Sequence, residues 1–408
     1  MLLFRKPFIV EGNEWRVRDV LIEGGVFKKI GFPGEFSGKK TAERIESEGR
    51  YLIPGFIDPH VHVREPGYSY KEDWDSCSRA ALKGGAVAIF DMPNNREPVV
   101  DERTIRTKRD IAIQKSYVNF GLYIALTDTN TETVSAPRVQ RLICGVKIYL
   151  SKTTGNITVR SEDSLLRVFC QPKPVLVHTG GTEGLSKILF FYKQASVRFT
   201  HVPVLYICHT STGEEISLLR TWKKKFPAIH IEVSPHHLFL NRESYNGLPG
   251  VLPPLSSRSD NEALWKGIED GTVDLIGSDH APHTVEEKMS EHPPSGFPGL
   301  ETALPLMLDA VEERGIGLET MLRLTSGCAK RLFHLSTHTG ICEGEQANCT
   351  LLEKGNFTFG DEEYITKCRW SPFNGRKHAY KPVFTMVDGC VAYDGKTMYR
   401  HSTRMLTW

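Results

Sequence analysis

Residues 54–66 read Pro-Gly-Phe-Ile-Asp-Pro-His-Val-His-Val-Arg-Glu-Pro. An apolar run over 51–57 ends in Asp58, and His60 and His62 follow with one residue between them. Side chains alternate along an extended strand, so both imidazoles fall on one face at its end. Two imidazoles so placed make half of a metal site. Arg64 continues the parity and would set a permanently charged carboxylate binder beside them. An isolated His-x-His also occurs by chance in surface loops, so its weight comes from the rest of the chain.

Outward from this stretch, eight apolar runs follow one another at 52–58, 86–92, 118–126, 145–150, 175–178, 204–209, 229–233 and 274–279. Helix-compatible segments separate several of them, as at 70–83, 101–115, 212–225 and 261–269. Repeated strand-helix alternation predicts an α/β fold with a parallel sheet, and eight repeats predict a closed (β/α)8 TIM-type barrel. The polar residues occupy telling positions: His60 and His62 follow the first run, Asn94 the second, Lys147 lies in the fourth, and His178, His209 and Asp279 end the fifth, sixth and eighth. Barrel active sites are built from the carboxyl ends of strands.

The flanks differ. Residues 1–50 alternate short apolar and polar groups punctuated by glycine, and strand-like pieces return after about 335, at 349–352, 382–387 and 390–393. These predict a small β-sandwich domain built from both termini, 1–50 with 340–408, beside a barrel of 51–339. The Pro- and Gly-rich segment 293–299 reads as a loop over the barrel mouth.

Fifty-one basic and 49 acidic residues leave a formal charge of +2, which argues against nucleic acid or an anionic membrane as partner. The apolar runs are far shorter than the ~20 residues that span a bilayer. The amino terminus offers no cleavage site for a secretory leader. Nine scattered cysteines with no CxxC pair read as reduced thiols. A soluble cytoplasmic protein acting on a small molecule is expected.

Each candidate has a bland alternative. His178 and His209, at strand ends, are expected metal ligands where core packing is the alternative. Asp279 would supply a carboxylate ligand and proton carrier, or simply cap a helix. Lys147 inside an apolar strand must be paired, snorkel, or be carboxylated by CO2 into an anion able to bridge two metals. Cys208 and Glu232 could form a further metal site, although regular alternation puts Cys208 opposite His209, so a twist or bulge is needed. His230, His236, His237 and His280 are expected to pack or hydrogen-bond behind the ligands.

With these residues in place, the chain resembles the dihydroorotases of the amidohydrolase superfamily, in the class that includes the dihydroorotase domain of the animal multifunctional pyrimidine-synthesis protein. The likeness runs from about residue 51 to the carboxyl terminus, through DPHVHVREPG with KEDW after it, FDMPNN, GVKIYL, ICHTSTGEE, EVSPHHLFL and SDHAPHTVEEK followed by GFPGLETALPL. It implies reversible hydrolysis of dihydroorotate to carbamoyl aspartate in pyrimidine synthesis. It also implies two zinc ions held by His60, His62, carboxylated Lys147, His178, His209 and Asp279, beside which the Cys208 and Glu232 reading would add a third. The implied mechanism is attack by a metal-bridging hydroxide with Asp279 as proton shuttle. Arg64, Asn94 and His283 match positions that hold the substrate, and the backbone at Ser295 and Gly296 matches a ring-contacting loop. The segment 151–156, SKTTGN, matches a mobile loop in which Thr153 and Thr154 close over substrate. A homodimer and association with aspartate carbamoyltransferase are the expected partnerships.

The chain departs from the family pattern at Leu252, where asparagine or arginine usually contacts the substrate carboxylate, at Thr179-Gly180-Gly181, and at Ala347-Asn348-Cys349. A lost charged contact costs ~1.5–3 kcal/mol. Hydrolysis of another cyclic amide, as in hydantoinases and allantoinases, is therefore one alternative, and a catalytically weak scaffold partner is another. Arg64 in the HVREPG block and the KED triplet at 71–73 resemble dihydroorotase specifically, and the arginine favours an anionic substrate.

Overall fold

The computed structural model describes residues 1–39, 42–152, 157–336, 338–360 and 362–407. Eight strands, β1 (Phe56–Val61), β2 (Ala86–Asp91), β3 (Asn119–Ala125), β4 (Gly145–Tyr149), β5 (Val175–His178), β6 (Leu205–Ile207), β7 (Ile229–Val233) and β8 (Leu275–Ile276), lie side by side in chain order. Every neighbouring pair is parallel. Helices fill the crossovers, among them Trp74–Lys83, Glu102–Lys115, Thr182–Arg198, Gly213–Lys223 and Arg258–Glu269. The expected barrel is present.

Its seam carries the site. Val61 bridges in parallel to His280, and the His62 amide donates to the His280 carbonyl at 2.8 Å. The buried Asp58 carboxylate accepts the Ser278 amide at 3.0 Å and the His60 amide at 3.2 Å. Burial pushes the Asp58 carboxyl up to about 7 against the pull of those bonds. The residue preceding the histidine pair thus stitches the first strand to the last.

The first apolar run does not form one strand. Residues Tyr51–Pro54 form a strand that pairs antiparallel with Cys349–Leu352, and β1 starts only at Phe56. Between them Gly55 approaches Val87 so closely that any side chain would collide with the valine's branched methyls. One hydrophobic run thereby serves two sheets.

The strand at 51–54 belongs to a six-stranded sheet that also contains Phe8–Glu11, Glu14–Val17, Cys349–Thr358, Lys377–Val387 and Cys390–Tyr393. A four-stranded sheet drawn from the first 46 residues faces it. Phe4, Val20, Ile22 and Phe27 from one and Ile9, Leu52, Leu351, Phe384 and Met386 from the other share one buried cluster, as aligned sheet packing requires.

Candidate metal centre and substrate pocket

His60 and His62 leave the end of β1, and Asp279 follows β8. All three are buried. The Asp279 Oδ1 atom lies 3.3 Å from His60 Nε2 and 3.2 Å from His62 Nε2. His178 ends β5, and its Nδ1 stands 2.9 Å from Nε2 of His209, which follows β6. Arg64, His209 and Asp279 adopt left-handed backbone at φ 70°, 33° and 47°. Such conformations cost about 1–3 kcal/mol each and persist where surrounding structure enforces them.

The side chains behind the histidines decide which nitrogens face the centre. Asn94 Oδ1 accepts His62 Nδ1–H at 2.6 Å, so His62 turns an Nε2 lone pair toward a carboxylate oxygen. Burial, the first influence, and Arg64 hold this imidazole down to about 3, against the pull of Asp279. The His60 Nδ1 meets Glu232 at 2.9 Å. Burial draws His60 down, but Glu232 and Asp279 raise it to about 10 despite Lys147. Burial alone would raise Asp279, yet His60, His62 and His209 hold it well below the usual carboxylate range. His209 Nδ1 is buried without a hydrogen-bond partner among the described residues. Converging lone pairs, an orphaned imidazole nitrogen and a proton trapped between two carboxylates all call for a cation. His60, His62 and Asp279 have ligand atoms within 4.8 Å of one another. Borderline nitrogen and oxygen donors of this kind suit a divalent metal such as zinc.

Lys147 is fully buried in β4. Its Nζ donates to Cys208 Sγ at 2.8 Å and forms no ion pair with a carboxylate among the described residues. Cys208 does reach this face: β6 ends at Ile207, and the left-handed turn at His209 releases the strict alternation that would have separated them. Cys208, His60 and Glu232 form a second group with ligand atoms within 4.8 Å of one another. Glu232 also accepts Tyr206 Oη and the His209 amide, the latter at 2.8 Å. His230, two residues earlier on β7, lies instead with Asp274 and Cys328.

Above this floor opens a cavity of about 1150 Å³ lined by His60, His62, Arg64, Asn94, Leu252 and Ser295, among others. Buried Arg64 donates through Nε to the Pro282 carbonyl at 3.3 Å. His283 Nδ1 lies 3.1 Å from Lys71 Nζ, and its Nε2 lies 3.1 Å from both the Ser295 carbonyl and Arg64 Nη2. Burial, then Arg64, Lys71 and Lys288, keep His283 neutral far below its ordinary value. His283 therefore holds up the pocket wall from behind. Leu252 is 46% exposed at the rim. Thr153 and Thr154 lie outside the described residues.

The KED triplet proves structural. Lys71 binds His283 and pairs with Glu287 at 2.8 Å, Glu72 is buried on Ser76 and Thr366, and Asp73 caps the helix Trp74–Lys83. Asp58, Tyr206 and Lys288 are functional neighbours that sequence reasoning passed over. Asp58 alone had a signal, its place just before the histidine pair.

A family model described as Amidohydrolase family matches residues 51–392. The chain is 35% identical over 356 residues to the Dictyostelium discoideum multifunctional protein pyr1-3, covering 84% of this chain and 15% of that much longer protein. It is 34% identical over 386 residues to the dihydroorotase of Pyrococcus furiosus, covering 91% of this chain and 88% of the relative. Among solved structures, the L-hydantoinase (dihydropyrimidinase) of Arthrobacter aurescens superposes with a TM-score of 0.89 over 100% of this chain and 99% of that one, at 21% identity. The last likeness speaks to the fold, and the first two to descent. With the family model spanning barrel and tail alike, this chain belongs to the amidohydrolase family.

Proposed function

We propose that this protein is a metal-dependent dihydroorotase, opening the ring amide of dihydroorotate to carbamoyl aspartate and closing it in reverse. The observation that carries the reading is one cavity holding both a cation-demanding floor and a buried, permanently charged Arg64. A neutral cyclic amide has no use for such a guanidinium, whereas a substrate carboxylate accepts its paired donors.

The residues that would hold metal are His60, His62, His178, His209, Asp279 and Lys147, with zinc as the metal and a further site at Cys208 and Glu232 beside His60. When bound, the metal supplies Lewis acidity, acidifying water and polarising the carbonyl under attack. A fully buried ammonium without a carboxylate partner is costly, which supports carboxylation of Lys147 by CO2 into an anionic ligand. Asp279 stands ionised at the focus of the site and takes the proton from the attacking water. Held well below the ordinary carboxylate range, it is a weak base that gives that proton up readily to the departing ring nitrogen. Asn94 and Glu232 keep His62 and His60 in their working tautomers through 2.6 and 2.9 Å hydrogen bonds. Arg64 orients the carboxylate, and the Ser295–Gly296 backbone offers the ring its polar edges.

Assembly as a homodimer and association with aspartate carbamoyltransferase belong to the same proposal, the latter supported by likeness to multifunctional proteins. Among the described residues no helix is long and apolar enough to cross a membrane, which is compatible with a cytoplasmic site.

Leu252 motivates a second reading, hydrolysis of another cyclic amide, since it offers the rim no hydrogen bond. The deciding assay gives metal-loaded protein dihydroorotate and a hydantoin in parallel, with zinc counted on the same sample. Faster hydantoin opening would replace the first reading by the second. Bound zinc with neither reaction would reject both.

A further inference from the structure

Lys288 closes the short helix Val285–Lys288 and is 1% exposed. Its Nζ donates to three backbone carbonyls: Gly250 at 2.7 Å, Pro294 at 2.9 Å and Gly296 at 3.0 Å. An ammonium has three donors, and all are spent on two loops far apart in sequence. Gly296 completes the joint by donating its amide to the Gly250 carbonyl at 3.0 Å. The Phe297 and Trp370 rings lie 5.2 and 5.7 Å from the charge. The Gly250 loop leads to Leu252, and Leu252, Pro294 and Gly296 all line the cavity. Gly296, at φ 145°, packs so closely on Ala281 that no side chain fits there, so this wall rests directly on the segment carrying Asp279.

We propose that Lys288 is the positioning residue of the substrate-facing wall: its ammonium locks the 250–252 and 294–296 segments into one surface beside Arg64 and thereby sets substrate affinity without touching substrate. This rests on the dihydroorotase reading for the identity of the substrate. A neutral amine has only two hydrogens to donate, so deprotonation frees one carbonyl and loosens the joint. Burial draws Lys288 down to about 8; Arg64 lowers it further, while Cys368 and Glu287 oppose. His283 and Lys71, the other titratable groups packed on this wall, hydrogen-bond to each other, and His283 stays neutral throughout.

The test compares the full-length wild type with K288M, measuring kcat and KM for dihydroorotate across the neutral to alkaline range, zinc content, and hydrogen exchange at the Gly296 amide. In K288M the KM should rise about tenfold, equivalent to ~1.4 kcal/mol, with kcat within about threefold, zinc unchanged and Gly296 exchange faster. In the wild type KM should climb as pH passes about 8, a rise absent from K288M. Wild-type KM in the variant, or a wild-type KM flat through that pH, would overturn the proposal, and the second result needs no folded variant. Wild-type protein inert toward dihydroorotate would instead defeat the functional reading. The exchange comparison then still decides the joint, since equal protection at Gly296 in both proteins would refute it.

Discussion

The floor of the pocket and its rim are held by different means. The floor is made of side chains at strand ends, each anchored by another side chain: His62 by Asn94, His60 by Glu232, Asp58 across the seam. The rim is made of loops whose backbone carbonyls converge on Lys288. A closed barrel fixes the floor to within the precision that metal chemistry requires, because moving one strand end disturbs both neighbours. Leu252, 46% exposed at the rim, lines the cavity through a loop instead of a strand end. Under the proposed function the floor would carry the reaction and the rim would select what reaches it.

Damage to the floor should strike kcat and metal, and damage to the rim should strike KM. The largest effect is expected from Asp279→Asn, which should lower turnover by roughly 10³-fold with the thermal midpoint retained. Appreciable residual turnover would remove Asp279 from proton transfer. Next comes Lys147→Ala, which should lose metal and about 10²-fold in rate together, partly restored by short carboxylic acids. Unchanged metal content in that variant would end the bridging assignment. Arg64→Met, at the boundary between floor and rim, should raise KM about tenfold to a hundredfold while kcat changes less. A pure kcat loss there would place Arg64 with the floor and blur the contrast. The smallest effect is expected from Leu252→Asn, which restores a polar rim contact and should lower KM a few-fold, worth ~1 kcal/mol. An unaltered KM would mean that the carboxylate is already fully held by Arg64.

Much of the floor is legible in the sequence, since strand-helix alternation is a local signal and a barrel places every strand end at one mouth. His60, His62, Lys147, His178, His209 and Asp279 were found that way. The reading faltered where one local pattern served two partners. The run at 52–58 looked like one strand because periodicity cannot register Gly55, whose missing side chain lets the chain cross from sandwich to barrel. Asn94, matched by motif to a substrate contact, lines the cavity and also engages His62 Nδ1 through its oxygen at 2.6 Å. The KED triplet carries family likeness, and its side chains buttress a helix cap, a neighbouring helix and the tail.

By itself the sequence determined the barrel and the sandwich at its side, because strand-helix alternation and short strands at both ends are local patterns along one chain. Only the tertiary structure decided which nitrogen each histidine turns inward, how Cys208 escapes its strand parity, and what holds the rim. Those outcomes depend on partners distant in sequence and on backbone carbonyls, and a carbonyl is present at every residue, so no letter in the sequence marks the three that meet Lys288.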